Sequence, residues 1–169
     1  MEAASLSKRS PTIPGRAMLV LWLAVLTTAC RAPAVPSEVE AQRWASAWIA
    51  AWNSHSAGQL EGFLPDEAKY WSTMLAEPVS GRGLARHASF YWRLLPRGKL
   101  ELREVHRGPG IVAVEWWAFP DVEKHDQRWA GVTWFRLRNG RPVEVRTYFN
   151  PTVLLPYLWP ARKPRPGNS

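Results

Sequence analysis

The chain has 169 residues, 46% of them hydrophobic and eleven of them tryptophan, enough apolar area for one domain that buries its own core without covalent staples. Its formal charge of +8 suggests nucleic acid until it is divided: residues 1–29 carry +2 of it and the last ten residues +3, leaving +3 for the body. A body charge that small gives no ground for a nucleic-acid partner.

Lys8, Arg9 and Arg16 precede an apolar run, Ala17 to Ala29, which has the length of a signal peptide and is too short to span a bilayer comfortably. The run ends at Cys30, the sole cysteine, so no internal disulfide can form. "LTTAC" resembles a bacterial lipobox, although Thr27 stands where such boxes usually carry Leu, Val or Ile. The expectation is an exported protein anchored to the membrane through a lipid on Cys30, with an ordinary secretory signal or an anchoring segment as the alternative. Residues 1–30 are thus read as a signal, 31–37 as a linker, 38–156 as the domain and 157–169 as a basic, proline-rich tail that stays disordered.

Ser37 with Glu40 three residues later has the form of a capping box and predicts a helix to about Asn53. Trp44, Trp48 and Trp52 recur every four residues on it, with Ala41, Ala45 and Ile49 on the same broad face, and are read as packing. Ser56 and Gln59 repeat the capping pattern for a short helix that Pro65 ends, so the two helices form a hairpin. A short extended piece around Tyr70 to Ser72 follows, then a loop, then a helix from Leu84 to Leu95 stopped by Pro96. Four strand-like runs complete the chain: about Lys99 to His106, Ile111 to Phe119, Gln127 to Arg138 and Pro142 to Asn150. "NG" at Asn139 and Gly140 is a type I′ hairpin signal, and the set reads as an antiparallel meander. Helices followed by a meander make an α+β fold with one strongly curved sheet packed on about three N-terminal helices.

This order, the segment "WIAAWNSHSAGQLEGFLPDEAKY" and the closing "VRTYFNP" together resemble the SnoaL-like branch of the nuclear transport factor 2-like superfamily. The resemblance implies a cone-shaped barrel with a pocket inside, in a group that includes cyclases, isomerases, epoxide hydrolases and non-enzymatic members. Fold alone therefore leaves the function open.

The resemblance also assigns positions. Against the epoxide hydrolase pattern, Tyr70 and Ser72 fall where a Tyr and an Asn hold water, while the charged catalytic positions fall on Trp116, Ala118 and Thr147. Against the ketosteroid isomerase pattern, the base falls near Ser72 and the protonated acid at Thr133. Neutral hydroxyls are far too weakly basic to replace those carboxylates, though they can donate hydrogen bonds. "GLARHASFYWRLLP" is similar to a segment of the phenazine biosynthesis A/B proteins, which implies a pocket-lining role for His87, with Tyr91 one turn on along the same face. Those proteins' acid/base Glu again falls on Thr147.

Taken together, these positions lead us to expect a pocket without its usual carboxylates. Trp116 and Trp129 would give apolar contact area to a small apolar or aromatic molecule, with Tyr70, Ser72, His87, Tyr91, Thr133 and Thr147 as polar contacts and Ala118 on the wall. The catalytic alternative is isomerisation, cyclisation or condensation of a carbonyl compound, with His87 moving a proton and Tyr70 or Tyr91 steadying the oxyanion. A third possibility is an interaction module that dimerises through its outer sheet face, where Trp117 and Arg146 would lie. Alternation also puts Glu115 on that face, paired with an arginine such as Arg128, Arg136 or Arg146. His55, His106 and His125 show no metal-binding spacing, and no glycine-rich phosphate cradle or nucleophile elbow is present, so neither a metal nor a cofactor is expected.

Overall fold

A computed structural model describes residues 32–124 and 126–159; the segment expected to be a signal, Cys30, His125 and the basic tail from residue 160 lie outside them. The first helix, α1 (Glu38–Asn53), starts where Ser37 Oγ accepts from the Glu40 amide at 3.2 Å. Its tryptophan and alanine face buries Ala41, Ala45 and Trp48. A turn follows in which His55 adopts a φ of 51°, and α2 (Ala57–Phe63) comes next. Ser56 makes no side-chain cap bond; its own amide donates to Ser54 Oγ at 3.1 Å, so the second capping box does not form.

α3 (Gly81–Leu94) begins three residues before the expected Leu84. The reason lies in two glycines that read as loop in the sequence. A Cβ at Gly81 would meet the Glu61 carbonyl oxygen at 2.8 Å, and one at Gly83 would meet Val79 Cβ at 2.5 Å. Both glycines therefore serve close approach of α3 to its neighbours.

The strands are β1 (Lys69–Ser72), β2 (Lys99–Gly108), β3 (Ile111–Phe119), β4 (Trp129–Arg138) and β5 (Arg141–Phe149), in the spatial order β1-β5-β4-β3-β2. The last four form the antiparallel meander, while β1 joins the edge of β5 in parallel. Asn139 and Gly140 have φ of 52° and 70°, the left-handed pair a type I′ turn requires. A 3-10 turn (Pro151–Leu154) and a single-turn α4 (Leu155–Leu158) close the described chain.

Both edge strands touch α1. Asn53 exchanges two hydrogen bonds of 2.8 Å with the backbone of Leu100 on β2, while the Trp48 ring packs 6.1 Å from Tyr70 on β1 and 5.5 Å from Phe135 on β4. A flat five-stranded sheet would hold its edges roughly 19 Å apart, so the sheet curls around the helix and makes the cone. The segment expected to be a linker docks on the β2–β3 turn: Gly110 N–H donates to the Ala34 carbonyl at 3.0 Å and Arg107 Nη1 to that of Pro36 at 3.1 Å.

Candidate ligand cavity

The concave face of the sheet, α1 and α3 enclose a cavity of about 90 Å³. That equals the share of about three waters and is smaller than the roughly 150 Å³ of an apolar cavity that admits benzene. Its walls are mostly aromatic, and its only exposed lining residues are His55 and Lys99, which mark the mouth. No carboxylate lines it among the described residues.

Two tryptophans keep the space small. The Trp116 indole lies over Gly131, and its Nε1 donates to Thr133 Oγ1 at 3.0 Å. Trp48, arriving from α1, donates to the same oxygen at 3.1 Å. Both acceptor sites of Thr133 are thereby used, so its own proton goes to Thr147 Oγ1, 3.1 Å away.

Thr133, Thr147 and Ser72 stand at one level of three adjacent strands, each paired in register with the next, and all three are buried. The Tyr70 hydroxyl bridges the row through Thr147 and Ser72; burial pushes its pKa up to about 12, against the pull of those hydrogen bonds. Ser72 Oγ accepts from the Met74 amide at 3.3 Å and meets His87 Nε2 at 2.9 Å. A continuous polar row thus crosses the sheet and ends on α3. The His87 ring sits 5.8 Å from that of Tyr70 and 4.9 Å from that of Tyr91. Burial lowers its pKa to about 4, so it is neutral at pH 7. Burial raises the pKa of Tyr91 as well, with the charge of Tyr70 adding to the effect.

Of the residues singled out from the sequence, Tyr70, Tyr91, Trp116 and Trp129 line the cavity, as do Ala118, Thr133 and Thr147. His87 and Ser72 do not; Ser72 meets the Tyr70 hydroxyl, and the His87 ring lies against the lining residues Tyr70 and Tyr91. Sequence reasoning took Trp48 and Trp52 for helix packing, and it weighed His55 only as a metal ligand, not as part of the cavity wall. His55 stacks on Trp92 with centroids 5.4 Å apart and planes 17° apart, and its Nε2 donates to the Gly98 carbonyl at 3.1 Å, which fixes the proton on that nitrogen. Its left-handed backbone is an uncommon state for a residue with a side chain, and the stack holds it there. The four-residue spacing Trp44–Trp48–Trp52 was the signal available for the α1 wall.

On the outer face, Glu115 pairs with Arg103 Nη1 at 3.2 Å and His106 Nε2 at 3.1 Å, and not with the expected Arg128, Arg136 or Arg146. Its nearer neighbour is β2, where a bulge between Leu102 and Glu104 brings Arg103 alongside. Arg128 lies 4.4 Å over the Trp117 ring, and Arg136 and Arg146 converge on Glu144. Strand pairing also brings together Glu104, His106 and Glu115, whose ligand atoms lie within 4.8 Å of one another. No linear spacing could reveal that group, and Arg103 already neutralises one of its carboxylates.

Residues 45–145 match the family model of a SnoaL-like domain. Three solved structures share the fold over about two thirds of this chain. A SnoaL-like protein of unknown function from Burkholderia thailandensis is 17% identical, with a TM-score of 0.56 over 68% of this chain and 97% of that one. AclR from Streptomyces galilaeus, named as a candidate hydroxylase, is 21% identical, with a TM-score of 0.56 over 70% and 95%. IdmH from Streptomyces antibioticus, named as a candidate polyketide cyclase, is 17% identical, with a TM-score of 0.55 over 70% and 97%. The comparison with curated proteins gives no match.

Proposed function

Because the chain belongs to the SnoaL-like domain family, a family whose shared cone leaves the chemistry open, we propose that it binds a small, neutral, largely apolar molecule in its cavity. The observation that carries this reading is the absence of any carboxylate among the cavity-lining residues, in a space walled mostly by aromatic rings. A base able to take a carbon-bound proton would have to act there. Of the two histidines near it, His55 lies at the exposed mouth with Nε2 on the Gly98 carbonyl, while His87 lies outside the lining and its lowered pKa makes it a weak proton acceptor.

Native mass spectrometry of the purified protein, incubated with extract of its producing organism, tests the reading. The expected result is a discrete adduct of small mass that persists in His87→Ala. Consumption of an extract component by the wild type, lost in His87→Ala, would overturn it in favour of turnover.

We propose in addition that the protein is exported and lipid-anchored at Cys30, on the strength of the apolar run Ala17 to Ala29 and the sole cysteine behind it. Incorporation of labelled palmitate that disappears in Cys30→Ser is the expected result. The outer sheet face, with Trp117 between Arg103 and Arg128, is the surface for self-association; Trp117→Ala would then shift a dimer to monomer on analytical ultracentrifugation.

A further inference from the structure

We infer that the ligand is gripped through a hydrogen-bond acceptor, a carbonyl or ether oxygen, by two donors of the cavity wall, Trp52 Nε1 and Tyr91 Oη. The inference rests on the binding role proposed above and narrows it to a chemical class.

The indoles of Trp48 and Trp116 are both spent on Thr133. Thr133 is saturated by them and by Thr147, and the Tyr70 hydroxyl is engaged with Thr147 and Ser72. The Asn53 amide uses Nδ2 and Oδ1 on the carbonyl and the N–H of Leu100. Trp92 Nε1 donates to the Trp52 carbonyl at 3.1 Å, and His55 Nε2 to that of Gly98. Lys99 stands exposed at the mouth with its Nζ on Glu101 at 3.1 Å.

Two buried polar atoms of cavity-lining residues are left with no partner at all. Trp52 Nε1 and Tyr91 Oη are buried without a hydrogen-bond partner, and their rings are 6.0 Å apart. A third unpaired group, Trp44 Nε1, belongs to a residue that does not line the cavity. Buried polar atoms are nearly always paired in folded proteins, so two orphans on one small cavity mark where a ligand atom belongs. An indole can only donate, and a buried phenol with a raised pKa keeps its proton, so both groups call for an acceptor. An anionic acceptor would have to be stripped of water with no free cation in the wall to meet it, which leaves a neutral one. The volume of about 90 Å³ restricts it to a compact molecule.

The test compares two compact probes of one shape, acetone and 2-methylpropene, which differ in carrying an oxygen or a CH₂ group on the central carbon. Dissociation constants would be measured on the full chain by nitrogen–proton correlation spectroscopy, which also follows the assigned Trp52 indole proton. We expect the ketone to bind about tenfold more tightly, to shift the Trp52 indole proton downfield, and to lose most of its advantage in Tyr91→Phe. Equal binding of both probes overturns the acceptor inference and leaves the apolar cavity standing. Binding of neither overturns the proposed function and the inference together. A ketone preference retained in Tyr91→Phe, with the Trp52 proton unmoved in the wild type, places the acceptor elsewhere and overturns the assignment.

Discussion

The Trp116 indole lies so close to Gly131 that a Cβ added there would stand 2.2 Å from its Cη2. Gly131 pairs with Trp116 across the β3–β4 ladder, and this glycine is what lets a tryptophan fold down into the cone and not stand away from it. Because Thr133 holds the indole nitrogen, the ring has no free direction in which to yield.

Gly131→Ala should therefore destabilise the protein by about 1–3 kcal/mol, the range for overpacking a well-filled core. Urea denaturation of the variant against the wild type measures it. A change within experimental error would show that the indole slides aside without cost.

Thr133→Val removes the oxygen on which both buried indoles depend and keeps the shape. Leaving Trp48 Nε1 and Trp116 Nε1 unpaired should cost about 2–4 kcal/mol, whereas Thr133→Ser, which keeps the hydroxyl, should cost about 1 kcal/mol. Equal losses from the two variants in the same denaturation assay would refute a shared acceptor role.

Tyr91→Phe takes away a buried hydroxyl that has no partner. The free protein should become more stable, by up to about 1 kcal/mol, with a Tm ~3–5 °C higher. Ligand affinity should fall at the same time, the pattern expected where a polar group serves binding at the expense of stability. Calorimetry on the ligand-free variant checks the first half; a lower Tm would mean the hydroxyl is satisfied.

Acid should weaken the fold through His87. Its pKa is lowered from 6.5 to about 4 by burial, so between those values the unfolded chain binds more protons than the native one. Stability is complete above about pH 6.5 and declines as the pH falls toward 4, by an amount of up to ~3 kcal/mol. Denaturation at pH 7.5 and at pH 4.5 should show a difference that shrinks in His87→Gln. An unchanged pH dependence in the variant would remove His87 as its source.

Much of the fold was legible because its signals are local. The Ser37 cap, the tryptophans four apart on α1 and the Asn139–Gly140 turn each act within a few residues, and each marks an element found in place. Strand alternation likewise put Trp116 and Glu115 on opposite faces, and the resemblance implied which of the two faces inward. The start of α3 was not legible, since Gly81 and Gly83 read as loop until Glu61 and Val79 are seen beside them.

The site was less so. From the sequence by itself, composition and element order determined an α+β domain rich in tryptophan, and the resemblance implied an aromatic-walled pocket with hydroxyls at Thr133 and Thr147 in place of carboxylates. Only the tertiary structure decided how those hydroxyls are spent. Trp48 reaches Thr133 across 85 residues of chain, and the row Thr133–Thr147–Ser72 exists through the registers of three strands. Helix periodicity could place His87 and Tyr91 on one face, yet the packing of β1 against α3 put Tyr91 in the cavity wall and His87 on Ser72, outside it. Periodicity is a property of neighbouring residues; which groups meet, and which donors are left unpaired, depends on how deep each element packs against the others.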